Sequence, residues 1–99
     1  MRVIAWKTLR DFADEHPQAL VPLRVWCRLV ESGMFAGPAD VRRVFGTRVD
    51  FLPDDVVVFD VGGNKYRISA NIRYRLDRLF IRAVMTHEEY ERRTARGSL

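Results

Sequence analysis

The stretch that decides the fold runs from Val56 to Glu91 and reads VVVFDVGGNKYRISANIRYRLDRLFIRAVMTHEEYE. Side chains alternate between the two faces of a β-strand, so counting by twos separates those faces. The count from Tyr66 gives an apolar face, made of Tyr66, Ile68, Ala70, Ile72 and Tyr74. The count from Lys65 gives a polar face with four cations, made of Lys65, Arg67, Ser69, Asn71, Arg73 and Arg75. The stretch therefore predicts a sheet with one apolar side and one cationic side.

The segments around this strand predict the rest of the sheet. Val56–Val61 is apolar apart from Asp60, which favours a central strand. Gly62-Gly63-Asn64 predicts a tight hairpin turn, because all three residues tolerate positive φ. A last strand is expected at Leu79–Met85, with Arg82 adding to the cationic face, followed by a short solvated helix over His87–Arg96.

The N-terminal half has mainly helical periodicity. Thr8 and Asp11 match a capping box at the start of a first helix, and Gly33 predicts a left-handed cap at the end of a second. Proline ends the first helix at residue 17. The elements expected here are a strand at Arg2–Trp6, helices over Lys7–Glu15, up to about Ser32 and over Pro38–Phe45, and an edge strand at Thr47–Leu52.

Helices followed by a strand meander predict an α+β fold, in which the helices cover one face of an antiparallel sheet. The chain has 99 residues, and we expect residues 1–99 to form a single domain. In that arrangement the cationic strand face lies on the uncovered side of the sheet.

Charge and composition narrow the class of protein. The formal net charge is +4, and the segment from Lys65 to Arg82 holds six cations and a single acid, Asp77. Such a local potential favours a phosphate backbone or an acidic protein as partner. The single cysteine, Cys27, and the absence of a signal peptide or long apolar run lead us to expect a cytoplasmic protein with no membrane contact. Two distant histidines and one cysteine supply no ligand cluster, so we expect no metal and no cofactor.

Several segments resemble the HigB-type toxins of bacterial type II toxin–antitoxin pairs. The resemblance covers nearly the whole chain and is most specific where GNKYR and THEEY occur together. The segments that carry it are Met1–Ala5, Lys7–Arg10, Gly37–Ala39, Val58–Arg67, Ile81–Arg82 and Met85–Tyr90.

The resemblance implies a RelE/ParE-like fold and a ribosome-dependent mRNA endonuclease activity. It also implies neutralisation by a HigA-like helix-turn-helix antitoxin, with operator DNA contacted only through the antitoxin complex. Family members commonly carry a cation at the position of Asn71 and a small polar residue at that of Arg73. Here the two are exchanged, which leaves the charge on the same strand face two residues further along.

Metal-free RNA cleavage needs the ribose 2′-OH aligned with the adjacent phosphate, stabilisation of the extra phosphorane charge, and two proton transfers. Arginine suits the charge and histidine the proton transfers, because imidazole titrates near neutral pH. We therefore expect the catalytic residues to be His87 as acid or base, Arg67 and Arg73 as phosphate clamps, and Tyr90 as base-stacking or proton-donating partner. RNA-binding contacts are expected from Lys65, Asn71, Arg75 and Arg82.

Other interpretations of the same residues remain open. A cationic strand face can be a solvated surface, His87 can cap the helix that follows it, and Tyr90 can pack on the sheet. Cys27 lies on an apolar helical stripe, which favours a core position over a nucleophile. The alternative functions are a non-catalytic RNA-binding module, a degenerate toxin acting only through its antitoxin, and a ParE-like gyrase inhibitor.

Overall fold

The structure, a computed structural model, describes residues 1–96, and residues 97–99 lie outside the described part. Short 3₁₀ turns at Pro17–Ala19, Gly46–Arg48 and Tyr74–Leu76 join several of the elements. The predicted order of helices and strands is confirmed. The helices are α1 (Trp6–Glu15), α2 (Leu20–Ser32), α3 (Pro38–Phe45) and α4 (His87–Arg96), and the strands are β1 (Arg2–Ile4), β2 (Val49–Phe51), β3 (Val56–Val61), β4 (Tyr66–Arg73) and β5 (Arg78–Thr86).

The five strands form one sheet in the order β1-β5-β4-β3-β2. Strands β2 to β5 are an antiparallel meander, and β1 pairs in parallel with β5. The prediction of an antiparallel sheet is therefore right for four strands and wrong for β1, which makes the sheet mixed. The N-terminal ammonium group holds β1 in place by donating to the carbonyl oxygens of Val30 and Gly33 at 3.2 and 3.0 Å.

Helices α1, α2 and α3 cover one face of the sheet, as the apolar side of β4 predicted. Ile68, Ala70 and Ile72 are buried against residues from all three helices. Phe59 lies at the centre, where its ring meets those of Trp26 and Phe45 edge-on at centroid distances of 5.3 and 4.9 Å. This arrangement, with helices packed on a five-stranded sheet, confirms the α+β fold class.

The opposite face of the sheet is only partly open. Helix α4 packs on β4 and β5 although none of its own side chains is fully buried. Beneath it, Arg67 is only 6% exposed, whereas Arg73 at the far end of β4 is exposed. Arg75 lies beyond the strand, in the turn that starts at Tyr74. The prediction of one uninterrupted open cationic face is therefore wrong, because the chain after β5 folds back over the first half of β4.

A β-bulge changes the pairing of β4 and β5. The register shifts between Ser69 and Ala70, which pair with Ala83 and Ile81, so Arg82 is the extra residue. A bulge of this kind reverses which residues of a strand share a face beyond it. As a result Ile81 and Leu79 enter the core, while Arg82 remains exposed.

Two predicted helix caps are wrong. Helix α1 begins after Ala5, which has a left-handed φ of 76°, and no side chain caps it; Asp11 pairs instead with Lys7 at 3.1 Å. Gly33 has a φ of −88°, so no left-handed cap is present. A glycine is required there for space, because an added Cβ would lie 2.3 Å from the Phe35 ring.

None of the helices within residues 1–96 is long and apolar enough to cross a membrane.

Candidate active site

The start of α4 brings a histidine to the hairpin between β3 and β4. Thr86 caps the helix, since its Oγ1 accepts the Glu89 backbone N–H at 3.2 Å, and the acidic first turn suits the helix dipole. The backbone N–H of His87 donates to the carbonyl oxygen of Lys65 at 2.9 Å. His87 is therefore held beside the hairpin, and its side chain is not the one that caps the helix.

The Arg67 guanidinium is the centre of the hydrogen-bond network at this end of the sheet. Its Nε forms an ion pair with Asp60 Oδ1 at 3.0 Å, and its Nη1 donates to the carbonyl oxygens of Asn64 and Tyr66 at 3.3 and 3.0 Å. Its Nη2 donates to Asn64 Oδ1 at 2.6 Å and contacts His87 Nδ1 at 3.0 Å. Five acceptor atoms of the protein therefore lie within 3.3 Å of the guanidinium nitrogens, which carry five N–H donors.

The two contacts of the His87 ring assign its proton. A guanidinium can only donate, so Nδ1, which faces Arg67, must be the accepting nitrogen. The proton then lies on Nε2, which is 3.0 Å from Glu91 Oε1. The side chain of His87 is 34% exposed and that of Glu91 is 67% exposed, so the pair lies at the surface of the protein. Arg67 thus selects the tautomer, as the second partner of a functional histidine commonly does.

Asp60 holds the other side of the guanidinium. Burial raises the pKa of its carboxyl above the ordinary 3.8, and the Arg67 charge opposes that increase. Asp50 raises the pKa further and His87 lowers it, with smaller effects. Burial outweighs the ion pair, so the carboxylate is stabilised by Arg67 without being made an unusually strong acid.

Tyr90 covers this network from the α4 side. Its ring lies over Arg67, with the guanidinium carbon 5.4 Å from the ring centroid, in a cation–π contact. The side chain is half-buried, one helical turn after His87. We call the set of Asp60, Asn64, Arg67, His87, Tyr90 and Glu91 the His87 cluster.

The remaining expected RNA contacts lie in two places. Lys65 is exposed beside the His87 cluster, to which its backbone is bonded. Asn71 lies further along β4, where it donates to the carbonyl oxygen of Asp55 at 2.8 Å and accepts from Arg82 Nη1 at 3.1 Å. Arg73 is six residues beyond Arg67, which on a strand is a separation of about 20 Å. We call Asn71, Arg73 and Arg82 the distal patch.

The structure therefore brings together His87, Arg67, Tyr90 and Lys65, but not Arg73. Asp60, Asn64 and Glu91 belong to the cluster and were missed. Asp60 could have been found from the sequence, because it is the one charged residue of an apolar strand and pairs with Arg67 across the predicted hairpin. The spacing of four residues between His87 and Glu91 on a helix is the signal for the last.

Metal catalysis and a cysteine nucleophile find little support among the described residues. Among residues 1–96, no group of three or more histidine, cysteine, aspartate or glutamate side chains could hold a metal ion. Cys27 is buried on α2, and burial, with a further contribution from Glu31, raises the pKa of its thiol to about 12. A thiol of that kind is a core residue and a poor nucleophile.

Comparison with known proteins adds a family to this geometry. Residues 19–93 match the model of the HigB_toxin family, described as the RelE-like toxic component of a toxin-antitoxin system. The chain is 35% identical over 96 residues to the mRNA interferase toxin HigB of Escherichia coli strain K12, covering 96% of this chain and 92% of that protein. The same identity and coverage hold for the mRNA interferase HigB of Shigella flexneri. The mRNA interferase HigB of Escherichia coli O6:H1 is 27% identical over 95 residues, covering 95% of this chain and 92% of that protein.

Proposed function

The chain belongs to the HigB toxin family, and we propose that it is a metal-independent mRNA endoribonuclease acting on the translating ribosome. Membership confirms the resemblance seen in the sequence and implies an antitoxin partner. The relatives are named mRNA interferases, which is the activity we assign to this chain. The observation that supports it here is the fixed ring of His87, with Nδ1 held by Arg67 and Nε2 beside the exposed carboxylate of Glu91.

The exposed pair of His87 and Glu91 has the groups that the reaction requires. The 2′-oxygen attacks the adjacent phosphorus, the bond from phosphorus to the 5′-oxygen breaks, and the products are a 2′,3′-cyclic phosphate and a 5′-hydroxyl. We assign Glu91 to accept the 2′-OH proton, and the Nε2–H of His87 to donate a hydrogen bond to a non-bridging phosphate oxygen as its charge increases, because loss of the only ring proton would leave an imidazolate. A water molecule protonates the leaving 5′-oxygen, and the hydroxide that remains takes the proton from Glu91, so the pair ends as it began.

In this proposal Arg67 positions His87 and is not the phosphate clamp that the sequence led us to expect. Its donors are already occupied by protein acceptors, so in this arrangement it positions His87 and leaves the phosphate to other cations. Lys65 is an exposed cation whose carbonyl oxygen accepts the His87 backbone N–H, and it is our candidate for the scissile phosphate. Tyr90 keeps the Arg67 guanidinium covered and can offer its outer edge to a base.

The distal patch extends the RNA path away from the His87 cluster. At about 20 Å from Arg67, Arg73 contacts the backbone several nucleotides from the cleaved bond. Asn71 orients Arg82 toward the same end, and Arg75 lies in the turn beyond. The exchange of residue types at positions 71 and 73 therefore affects RNA binding and leaves the cleaved linkage untouched.

The small number of acid–base groups at the site supports the proposed dependence on the ribosome. The cluster contains a single imidazole, so alignment of the mRNA must come from elsewhere. The ribosome supplies an extended, immobilised message. The protein partner we propose is a HigA-like helix-turn-helix antitoxin, with operator DNA reached only through that complex.

The test is cleavage of a defined mRNA on purified programmed ribosomes, with the 5′ ends mapped and the 3′ ends analysed for cyclic phosphate. We expect cuts within codons only when ribosomes are present, and a loss of at least about a hundredfold in rate for His87→Ala. Arrested translation with intact mRNA would instead identify an RNA-binding module. DNA breaks with intact mRNA would identify a gyrase inhibitor, and absence of any toxicity would identify a degenerate toxin.

A further inference from the structure

Helix α2 has an apolar stripe that the fold does not use. Its inner side, with Trp26 and Val30, is buried in the core. On its outer side, Val21, Val25 and Leu29 are 68%, 51% and 39% exposed, and they are spaced four residues apart. Residues at this spacing lie one above the other on a helix, so they form a continuous strip. A surface helix normally keeps one side polar, so a second apolar strip indicates an interaction surface.

The strip forms one wall of a groove of about 270 Å³. The facing wall comes from the end of α3, from Arg48, and from the β3–β4 hairpin at residues 60–63. Trp26 also lines the groove, and its buried indole N–H has no acceptor within residues 1–96.

The charges around the groove identify the kind of partner. Arg48 is exposed on the facing wall of the groove, whereas Arg24 and Arg28 are exposed on the other flank of the strip, where they line a second pocket together with one acid, Glu31. None of the three arginines takes part in an ion pair within the described part of the chain. Asp60, the acid that lines the groove, is already paired with Arg67. The surroundings of the strip are therefore cationic.

We propose that this groove binds an acidic amphipathic helix of the antitoxin. Three apolar side chains of that helix cover Val21, Val25 and Leu29, while carboxylates on its flanks pair with the surrounding arginines. The strip runs over the nine residues from Val21 to Leu29, a length of about 12 Å, which matches two to three turns of a partner helix. The proposal rests on the antitoxin partner of the proposed function and does not depend on RNA cleavage.

Two other occupants fit the groove less well. A second copy of this chain would bring two sets of unpaired arginines toward one another. RNA would meet aliphatic side chains at the centre of the strip, where stacking surfaces are needed. An acidic helix satisfies both the apolar strip and the arginines.

The experiment compares Val25→Asp with Met34→Asp as a matched control. Both positions are exposed apolar residues, but Met34, at 93% exposure, lies outside the groove. Each toxin is produced with and without its antitoxin, and the affinity of the purified proteins is measured by calorimetry. We expect Val25→Asp to weaken antitoxin binding by at least about a hundredfold, because it places a charge in the apolar contact and opposite acidic residues. Met34→Asp should bind as the wild type does.

A second pair of variants tests the charge. Arg48→Glu should weaken binding by about tenfold or more, whereas Arg10→Glu, an exposed arginine on α1, should leave the affinity unchanged. Circular dichroism confirms that each variant is folded, so the measured affinity decides the outcome even where a variant has lost its toxicity.

Unchanged antitoxin affinity in both Val25→Asp and Arg48→Glu would overturn the proposal. If Val25→Asp then lost only toxicity, the groove would contact the ribosome; if it lost only self-association in sedimentation, the groove would bind a second copy. Either result contradicts antitoxin docking here. Antitoxin binding is scored without RNA, so a failed cleavage assay leaves this test unaffected.

Discussion

Replacing Arg67 by methionine is the sharpest test of how the site is built. Methionine keeps an unbranched stem but removes all five donors, leaving Asp60, Asn64 and His87 without their shared partner. The change is therefore expected to affect both the stability of the fold and the state of the His87 ring.

The expected loss of stability can be estimated from the burial of the ion pair. Removing one partner of a buried pair costs about 3–5 kcal/mol, because the other charge is left uncompensated. The side chain of Asp60 is 24% exposed, which places this case at the lower end, at about 3 kcal/mol. For a domain near 100 residues, that corresponds to a fall in melting temperature of roughly 12–24 °C.

Urea unfolding measures the stability, and Arg73→Met is the control. Arg73 lies on the same strand but is exposed, so its replacement should change the free energy of unfolding by no more than about 0.5 kcal/mol. Long-range ¹H–¹⁵N correlation of the imidazole gives the second readout. In the wild type we expect the proton on Nε2 alone, and in Arg67→Met a mixture of both tautomers.

An Arg67→Met protein that unfolds within about 1 kcal/mol of the wild type and keeps the proton on Nε2 would refute this reasoning. Loss of stability with an unchanged tautomer would limit Arg67 to a structural role. Arg67→Lys should recover part of the stability through the charge on Asp60, but it cannot supply all five donors.

Three further predictions concern single groups. The first concerns Asp60, whose pKa is raised in the folded protein, so that between 3.8 and that higher value the folded state binds more protons than the unfolded state. The stability contributed by Asp60 therefore falls as pH rises through this window. In urea titrations, the stability of the wild type relative to Asp60→Asn should decrease over the same range, and a pH-independent difference would contradict this prediction. Gly33→Ala should destabilise the fold by about 1–3 kcal/mol, because its Cβ would meet the buried Phe35 ring, whereas Gly37→Ala, with open space around it, should be neutral in thermal unfolding. Cys27 should resist iodoacetamide in the native protein at pH 8, because the thiol is buried and burial raises its pKa to about 12. In urea it should react fully, as followed by mass spectrometry. Rapid labelling of the native protein would show instead that the residue is accessible.

The sequence predicted the elements well where local chemistry determines them. Pro38–Phe45 and Val56–Val61 have the predicted bounds, because a proline start, a glycine end and a run of β-branched residues are local signals. The parallel pairing of β1 with β5 joins residues more than seventy positions apart, and nothing in either segment specifies it.

The site was predicted in part for a related reason. Alternation along β4 correctly placed Arg67 on the face opposite the core, but alternation says nothing about what covers that face. Helix α4 covers Arg67 and places Glu91 beside His87, while the Arg67 partners Asp60 and Asn64 come from β3 and from the β3–β4 hairpin. The sequence alone does, however, give the distance along a strand. The step of six residues from Arg67 to Arg73 is enough to place Arg73 outside the His87 cluster.

The packing of α4 has a consequence for the dynamics of the site. The helix has ten residues and contributes no fully buried side chain, whereas β4 is buried along most of its length, so we expect α4 to detach by local unfolding at a smaller free-energy cost than β4. Its detachment would carry His87, Tyr90 and Glu91 away from Arg67 while β4 stays paired. Amide hydrogens of α4 should therefore exchange with deuterium well before those of β4, and RNA bound across Lys65 and His87 should slow that exchange.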